Sequence, residues 1–223
     1  MDKVCVRDGT ELSIRRIRPD DGARLQAAHL RLSPEAQYRR FLGPKRQLSA
    51  ADARYLAEVD GHDHYALVAA PTDDPDSIVA VARFVRLGEG SRSAEFAIVV
   101  GDQLHGQGLA TELVARLADA ARSRGVDRFR ATMLADNVAA RRLLWRLSQG
   151  KMRTQEQGST SEVEIELPRR RGRAIITACH GASRFGSARG SSGAALNASR
   201  RPWRRSNGGR ASWRERRRAT RST

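Results

Sequence analysis

One carboxylate stands alone in the stretch AEFAIVVGDQLHGQGLATEL, which begins as an apolar run. Glu95 is the only charged residue between Arg92 and Asp102. A carboxylate held in a partly desolvated cleft can accept a proton from a reacting group. Glu95 is therefore a candidate general base, and the alternative is a solvated residue on an edge strand.

Two glycines in the same stretch, Gly106 and Gly108, stand directly before a predicted helix. The first turn of a helix has unpaired N–H groups, its dipole favours negative charge, and glycine lets a ligand approach the backbone closely. The loop therefore predicts an anion site that suits a pyrophosphate. Alone, such a glycine pair is a weak signal, because it also occurs in tight turns.

Two nucleotide-binding motifs do not match this loop. A P-loop requires Gly-Lys-Ser/Thr, whereas Leu109 and Ala110 follow Gly108. A dinucleotide-binding fingerprint requires a third glycine and an early parallel βαβ unit, whereas this loop follows the fourth predicted strand. The sequence argues against both motifs.

Apolar periodicity and capping signals predict the elements that position these residues. Helix start signals lie at Ser33-Pro34-Glu35 and at Ser49, where Asp52 takes the place of the usual Glu of a capping box. We predict strands at 11–17, 64–70, 78–86, 93–100, 128–134 and 161–167. We predict helices at 23–32, after Ser33, after Ser49, at 108–123 and at 137–147.

The formal net charge of +16 belongs to the C-terminal part of the chain. Residues 169–223 contain 16 Arg, no Lys and one acid, Glu215, so they carry +15 and residues 1–168 carry +1. After Pro168 the composition cannot bury enough apolar surface to offset chain entropy. We predict one folded domain at 1–168 and a disordered Arg-rich tail at 169–223.

The glycine loop resembles the acyl-CoA-binding motif of the GNAT N-acetyltransferases, Gln/Arg-x-x-Gly-x-Gly/Ala after a strand. His105 stands where the family has Gln or Arg; an alignment from Gln103 to Gly108 also fits but places the glycines badly relative to the helix. The resemblance implies backbone pairing of a pantetheine arm with Ile98, Val99 and Val100. It implies a pyrophosphate site at Gly106, Gln107, Gly108, Leu109, Ala110 and Thr111, and it places His105 among the cofactor-binding residues.

A second stretch, LADNVAARRLLWRL, resembles the later GNAT helix with its Asn-x-x-Ala-x-x-Leu pattern, here Asn137, Ala140 and Leu143. The resemblance implies that Asn137 contacts the pantetheine end of the cofactor, and the alternative is a helix N-cap. Leu144 occupies the place of a tyrosine that many members carry, and Ser148-Gln149 replaces the family's Gly-Phe. No general acid is therefore predicted.

The segments LSPEAQYRRF and SAEFAIVV resemble most closely the acetyltransferase domains of bacterial protein-lysine acetyltransferases, which place a catalytic glutamate at the position of Glu95. The fold implied is α/β (α+β), a mixed and mostly antiparallel sheet, splayed near the cofactor loop, with helices on both faces. The activity implied is direct transfer of an acetyl group from acetyl-CoA to a primary amine, such as that of a protein lysine.

Three alternatives stay open: a small-amine acetyltransferase, a weakly catalytic acyl-CoA-binding sensor, and nucleic-acid binding through the tail alone. His62 and His64 have no third ligand nearby, so we expect no metal. The sequence has no signal-peptide pattern and no apolar run of roughly 20 residues, so we expect a cytoplasmic protein without a membrane partner. The sequence does not indicate an oligomeric state.

Overall fold

A computed structural model of the chain describes residues 2–168. The predicted tail, and any nucleic-acid binding by it, lie outside the described residues. The strands of the described part are β1 (Asp2–Cys5), β2 (Glu11–Arg16), β3 (His64–Pro71), β4 (Ala80–Arg86), β5 (Ser93–Val100), β6 (Arg128–Leu134), β7 (Met152–Gln157) and β8 (Thr160–Glu166). Its α-helices are α1 (Gly22–Leu30), α2 (Pro34–Phe41), α3 (Ala50–Ala57), α4 (Leu109–Arg122) and α5 (Val138–Leu147).

The strands form one sheet in the order β1-β2-β3-β4-β5-β6-β8-β7. Every neighbouring pair is antiparallel except β5 and β6, which run parallel. The connection between these two strands contains α4, as a parallel crossover requires. The predicted mixed and mostly antiparallel sheet is confirmed.

Helices cover both faces of the sheet. On one face, α4 buries Leu113 and Leu117 completely against strand residues such as Phe84 and Phe129. Burial of such a leucine contributes about 1.5–3 kcal/mol, so this stripe anchors α4 and its N-terminal loop. On the other face, α1 and α3 pack on a second cluster built around Val68.

The predicted helix starts have the expected caps. The side chain of Ser33 accepts a hydrogen bond from the N–H of Ala36 at 3.2 Å. Ser49 and Asp52 form a reciprocal capping box at the start of α3. These bonds satisfy N–H groups that the helices leave unpaired, which explains why both helices begin where the sequence predicts.

Every predicted strand and helix is present, with small shifts at the ends, but two strands were not predicted. Strand β7 buries no residue and contains a single apolar one, Met152, so it has no alternation to detect. Strand β1 is four residues long and starts with two charged residues. Because β1 was missed, the prediction that the glycine loop follows the fourth strand is wrong; it follows the fifth.

Candidate active site

An open strand edge lies next to the glycine loop. Strand β5 pairs with β4 along its whole length, from Ala94 to Val100. It pairs with β6 only from Ser93 to Glu95, after which the two parallel strands separate. The second half of β5 therefore presents backbone groups to a gap in the sheet.

Two hydrogen bonds determine which backbone groups of β5 face this gap. The N–H of Leu87 donates to Ser93 O at 3.0 Å, and the N–H of Gly101 donates to Val79 O at 2.8 Å. Because backbone groups alternate along an antiparallel strand, the odd-numbered residues between them bond to β4 and the even-numbered ones face away. The gap is therefore lined by the backbone of Phe96, Ile98 and Val100. Val99 directs its backbone to β4.

The glycine loop is open where a ligand would approach. Gly106 and Gly108 have φ angles of +76° and +94°, and a Cβ added to either would have no atom within 4 Å. Among the described residues, nothing accepts a hydrogen bond from their N–H groups. Helix α4 begins directly afterwards, at Leu109. Free N–H groups, a helix N-terminus and unfilled space together fit a pyrophosphate.

His105 attaches this loop to the end of β5. Its Nε2 lies 3.0 Å from the carbonyl oxygen of Val100. A carbonyl oxygen only accepts, so Nε2 carries the proton. This contact uses the gap-facing carbonyl of Val100 and leaves its N–H to a ligand. The side chain of His105 therefore links the loop to the end of β5 by one hydrogen bond.

The loop is also braced by two residues that were not predicted. The N–H of Arg7 donates to Gln107 O at 3.2 Å, and its Nη1 donates to Gly106 O at 3.3 Å. On the other side, the carboxylate of Asp102 accepts from the N–H and the hydroxyl of Ser33, each at 2.8 Å. These bonds, first that from the Ser33 N–H, lower the pKa of Asp102. The segment that leads into the glycine loop and the start of α2 are thus joined.

Glu95 lies half-buried on the sheet face that carries α1, α2 and α3. Its side chain shares this face with those of Ala97 and Val99, because residues two apart in a strand point the same way. It lines an open groove with outward-facing residues of β6, β7 and β8, among them Arg130, Arg153, Glu162 and Glu164. An amine that approaches through this groove would meet the carboxylate of Glu95.

Arg40 of α2 lies close enough to Glu95 for the two charges to interact. Burial lowers the pKa of the Arg40 guanidinium, and the negative charge of Glu95 acts in the opposite direction. Sequence reasoning missed Arg40, and it also missed Arg83 on β4. Arg83 gives the same signal as Glu95, a lone charge inside an apolar run (AVARFV). Arg83 could therefore have been detected in the same way as Glu95, whereas Arg40 follows another arginine and gives no such signal.

Two positions of the second family stretch, Asn137 and Leu144, have clear local roles. The side chain of Asn137 accepts from the N–H of Ala140 at 3.1 Å, so it caps α5. Contact of Asn137 with a cofactor stays a prediction. Leu144 is 2% exposed and packs in the core, so this position offers no proton donor.

Neither a metal cluster nor a membrane-spanning helix occurs within residues 2–168. The Nε2 atom of His64 lies 3.0 Å from Nη1 of Arg83, which can only donate. His64 therefore accepts this bond and does not offer Nε2 to a metal.

Comparison with known proteins agrees with this geometry. A family model described as an acetyltransferase (GNAT) domain matches residues 11–148. The chain is 35% identical over 166 residues to acetyltransferase Pat of Mycolicibacterium smegmatis, which covers 74% of this chain and 48% of Pat. It therefore spans about half the length of that relative.

Solved structures give the same result for the fold. The GNAT domain of S. lividans PAT superposes with a TM-score of 0.67 at 28% identity, over 74% of this chain and 96% of that one. YncA of Salmonella typhimurium, solved with its cofactor acetyl-CoA, superposes with a TM-score of 0.55 at 20% identity, over 75% of this chain and 99% of that one. The second likeness concerns the fold alone.

Proposed function

Because this chain belongs to the GNAT family of acetyltransferases, we propose that it transfers an acetyl group from acetyl-CoA directly to the side-chain amine of a protein lysine. One observation carries the proposal. A single strand, β5, joins a half-buried carboxylate, Glu95, to the glycine loop, and between them its edge is open. A proton acceptor and a cofactor site are therefore aligned along one backbone.

The cofactor site would be built mainly from backbone. The N–H groups of Ile98 and Val100 face the gap and would hold the pantetheine arm, as an added strand would. The loop and first helical turn from Gly106 to Thr111 would hold the pyrophosphate. A gap-facing N–H would also polarise the thioester carbonyl, a stabilisation typically worth several kcal/mol in acyl transfer. Bound acetyl-CoA supplies a thioester whose thiolate leaves readily, since a thiol has a pKa near 8.5.

Glu95 would act on the acceptor. A lysine amine has a reference pKa near 10.4, so at neutral pH almost all of it is protonated and not nucleophilic. Glu95 would take the ammonium proton, directly or through a water molecule, and the neutral amine would then attack the thioester carbonyl. The second proton, lost from the nitrogen as the amide forms, would pass through water to the leaving thiolate. No acid is required for the leaving thiolate, which agrees with a buried leucine at position 144.

Support for a protein acceptor comes from the shape of the groove. Its residues on β6, β7 and β8 are largely exposed, among them Arg130, Arg153 and Glu162. An exposed groove suits a polypeptide segment, whereas a small amine is usually enclosed.

Mass spectrometry of candidate proteins and free amines after incubation with acetyl-CoA tests this function. We expect acetylated lysines in proteins, with release of one thiol per acetyl group. Acetylation confined to free amines would make the chain a small-amine enzyme. Acetyl-CoA binding without any turnover would make it a sensor.

We also propose that the catalytic domain ends at Pro168. The final strand is fastened by Leu167, whose N–H donates to Asp127 O at 2.8 Å and whose carbonyl accepts from Arg122 at 2.6 Å. Truncation after Pro168 should leave the melting temperature and acetyl-CoA affinity nearly unchanged and remove any salt-sensitive DNA or RNA binding. Differential scanning fluorimetry and titration check this, and loss of cooperative unfolding would refute the boundary.

A further inference from the structure

A second pocket lies under α1 and α2, on the sheet face that also carries Glu95, with Val99 of the same strand in its wall. Its walls are mainly apolar, with Leu25, Phe41, Leu48, Leu56, Val81 and Val99 among them. Arg31, Arg40 and Arg83 also line it, and within residues 2–168 no Asp or Glu does. The pocket therefore has mainly apolar walls and a net positive charge from its arginines.

Arg83 carries a charge that the described protein does not compensate. Only 5% of the residue is exposed. Its Nη1 donates to Leu56 O at 3.1 Å and to Nε2 of His64 at 3.0 Å, both neutral acceptors. Its buried Nε–H has no partner in the described part of the chain. Burial, and then the charge of Arg40, lower the pKa of Arg83 to about 9, so it remains a cation at neutral pH.

A buried cation without an anionic partner destabilises a fold, and a bound anion would offset that cost. An anion placed against Arg83 would satisfy the Nε–H and offset the repulsion between Arg83 and Arg40. The apolar walls restrict what the anion can be attached to, since they favour a short hydrocarbon stem. A carboxylate on two methylene groups, as in a glutamate side chain, has both properties.

We propose that this pocket binds a glutamate side chain located two residues from the acceptor lysine, with its carboxylate against Arg83 and Arg40. The inference rests on the proposed lysine acetyltransferase function and deepens it. It makes the arginine pair a specificity determinant for lysines in an acidic context.

The spacing follows from strand register. Arg83 pairs with Ala97, which lies two residues along β5 from Glu95, a distance of about 7 Å at the usual rise of a strand. In an extended peptide, residues two apart are separated by the same distance and project to the same side. A lysine directed at Glu95 therefore brings its neighbour at position −2 or +2 to the strand position of Arg83. The two methylene groups of a glutamate would extend its carboxylate from there toward the guanidinium beside His64.

Capped synthetic peptides provide the test. Each contains one lysine and carries Glu, Gln, Asp or Leu at position −2 or +2, and kcat/KM is measured by thiol release with the full chain. We expect the Glu peptide to exceed its Gln partner at least tenfold at one of the two positions, and the Asp peptide to lie between them. Equal rates for Glu and Gln at both positions, or a preference for Leu, would overturn the proposal while leaving the acetyltransferase function intact.

Variants connect the preference to the arginines. In Arg83→Met the ratio between Glu and Gln peptides should fall to about twofold or less, and Arg40→Gln should lower it as well. Arg122→Met is a matched control, because Arg122 also donates to a backbone carbonyl but lies on α4, on the opposite face. It should keep the full ratio. If Arg83→Met does not fold, the wild-type peptide series still decides, and failure to acetylate any peptide would overturn both the proposed function and this inference.

Discussion

Replacing Glu95 by Gln is expected to slow acetyl transfer by about 10²- to 10⁴-fold at neutral pH, which is the rate acceleration that a positioned general base usually contributes. The amide keeps the shape of the side chain and removes only its ability to accept a proton. Acetyl-CoA binding should persist, because the loop and the gap-facing backbone of β5 are unchanged. Steady-state kinetics and isothermal titration of the same preparation separate the two effects.

The pH dependence distinguishes a base from a positioning residue. As pH rises toward the pKa of the amine, free amine forms without the enzyme, so the deficit of Glu95→Gln should shrink. A deficit of the same size at every pH would indicate that Glu95 positions the acceptor. Glu166→Gln is the matched control: it removes an exposed carboxylate of β8 that does not line the groove, and it should change the rate little.

Replacing Gly108 by Asp should weaken acetyl-CoA binding at least tenfold, or about 1.4 kcal/mol. The new side chain would occupy the space in front of the α4 N-terminus and bring a negative charge to the site proposed for the pyrophosphate. The backbone adds a cost, since φ is +94° at this position and only glycine adopts such values freely. Titration with acetyl-CoA measures the loss.

Gly125→Asp controls for the backbone cost. Gly125 has a similar φ of +79° and equally open surroundings, but it follows the C-terminal end of α4. Strain at a left-handed position costs about 1–3 kcal/mol of stability in either variant. Only Gly108→Asp should lose affinity for acetyl-CoA. Equal loss in the two variants, or unchanged affinity in a folded Gly108→Asp, would contradict the cofactor site.

The order of elements could be predicted because its signals are local. Ser33 and Ser49 cap the helices that follow them, and the apolar stripe of α4 repeats with the helical period. Strand β7 gave no such signal, since an edge strand without buried residues needs no apolar alternation. It is stabilised by its pairing with β8, which is an interaction between segments and not a property of either.

The positions of the glycine loop and of Glu95 could likewise be identified from the sequence. Glycines before a helix, and a lone charge in an apolar strand, contradict the pattern around them, and such local departures often mark functional positions. The same reasoning would have found Arg83, whose charge also interrupts an apolar strand. Nothing in the sequence near Arg7 indicated that it braces Gly106, because the two residues are brought together only by the fold.

What the sequence determined by itself is therefore the set of helices and most strands, and the positions of the glycine loop and of Glu95 within them. These depend on contacts within a few residues, which capping, periodicity and glycine placement encode directly. The tertiary structure alone decided that Ile98 and Val100, and not Val99, face the gap, and that Arg40 and Arg83 meet beside Glu95. Both outcomes depend on strand register, and a shift of one residue would reverse every backbone and side-chain direction along β5.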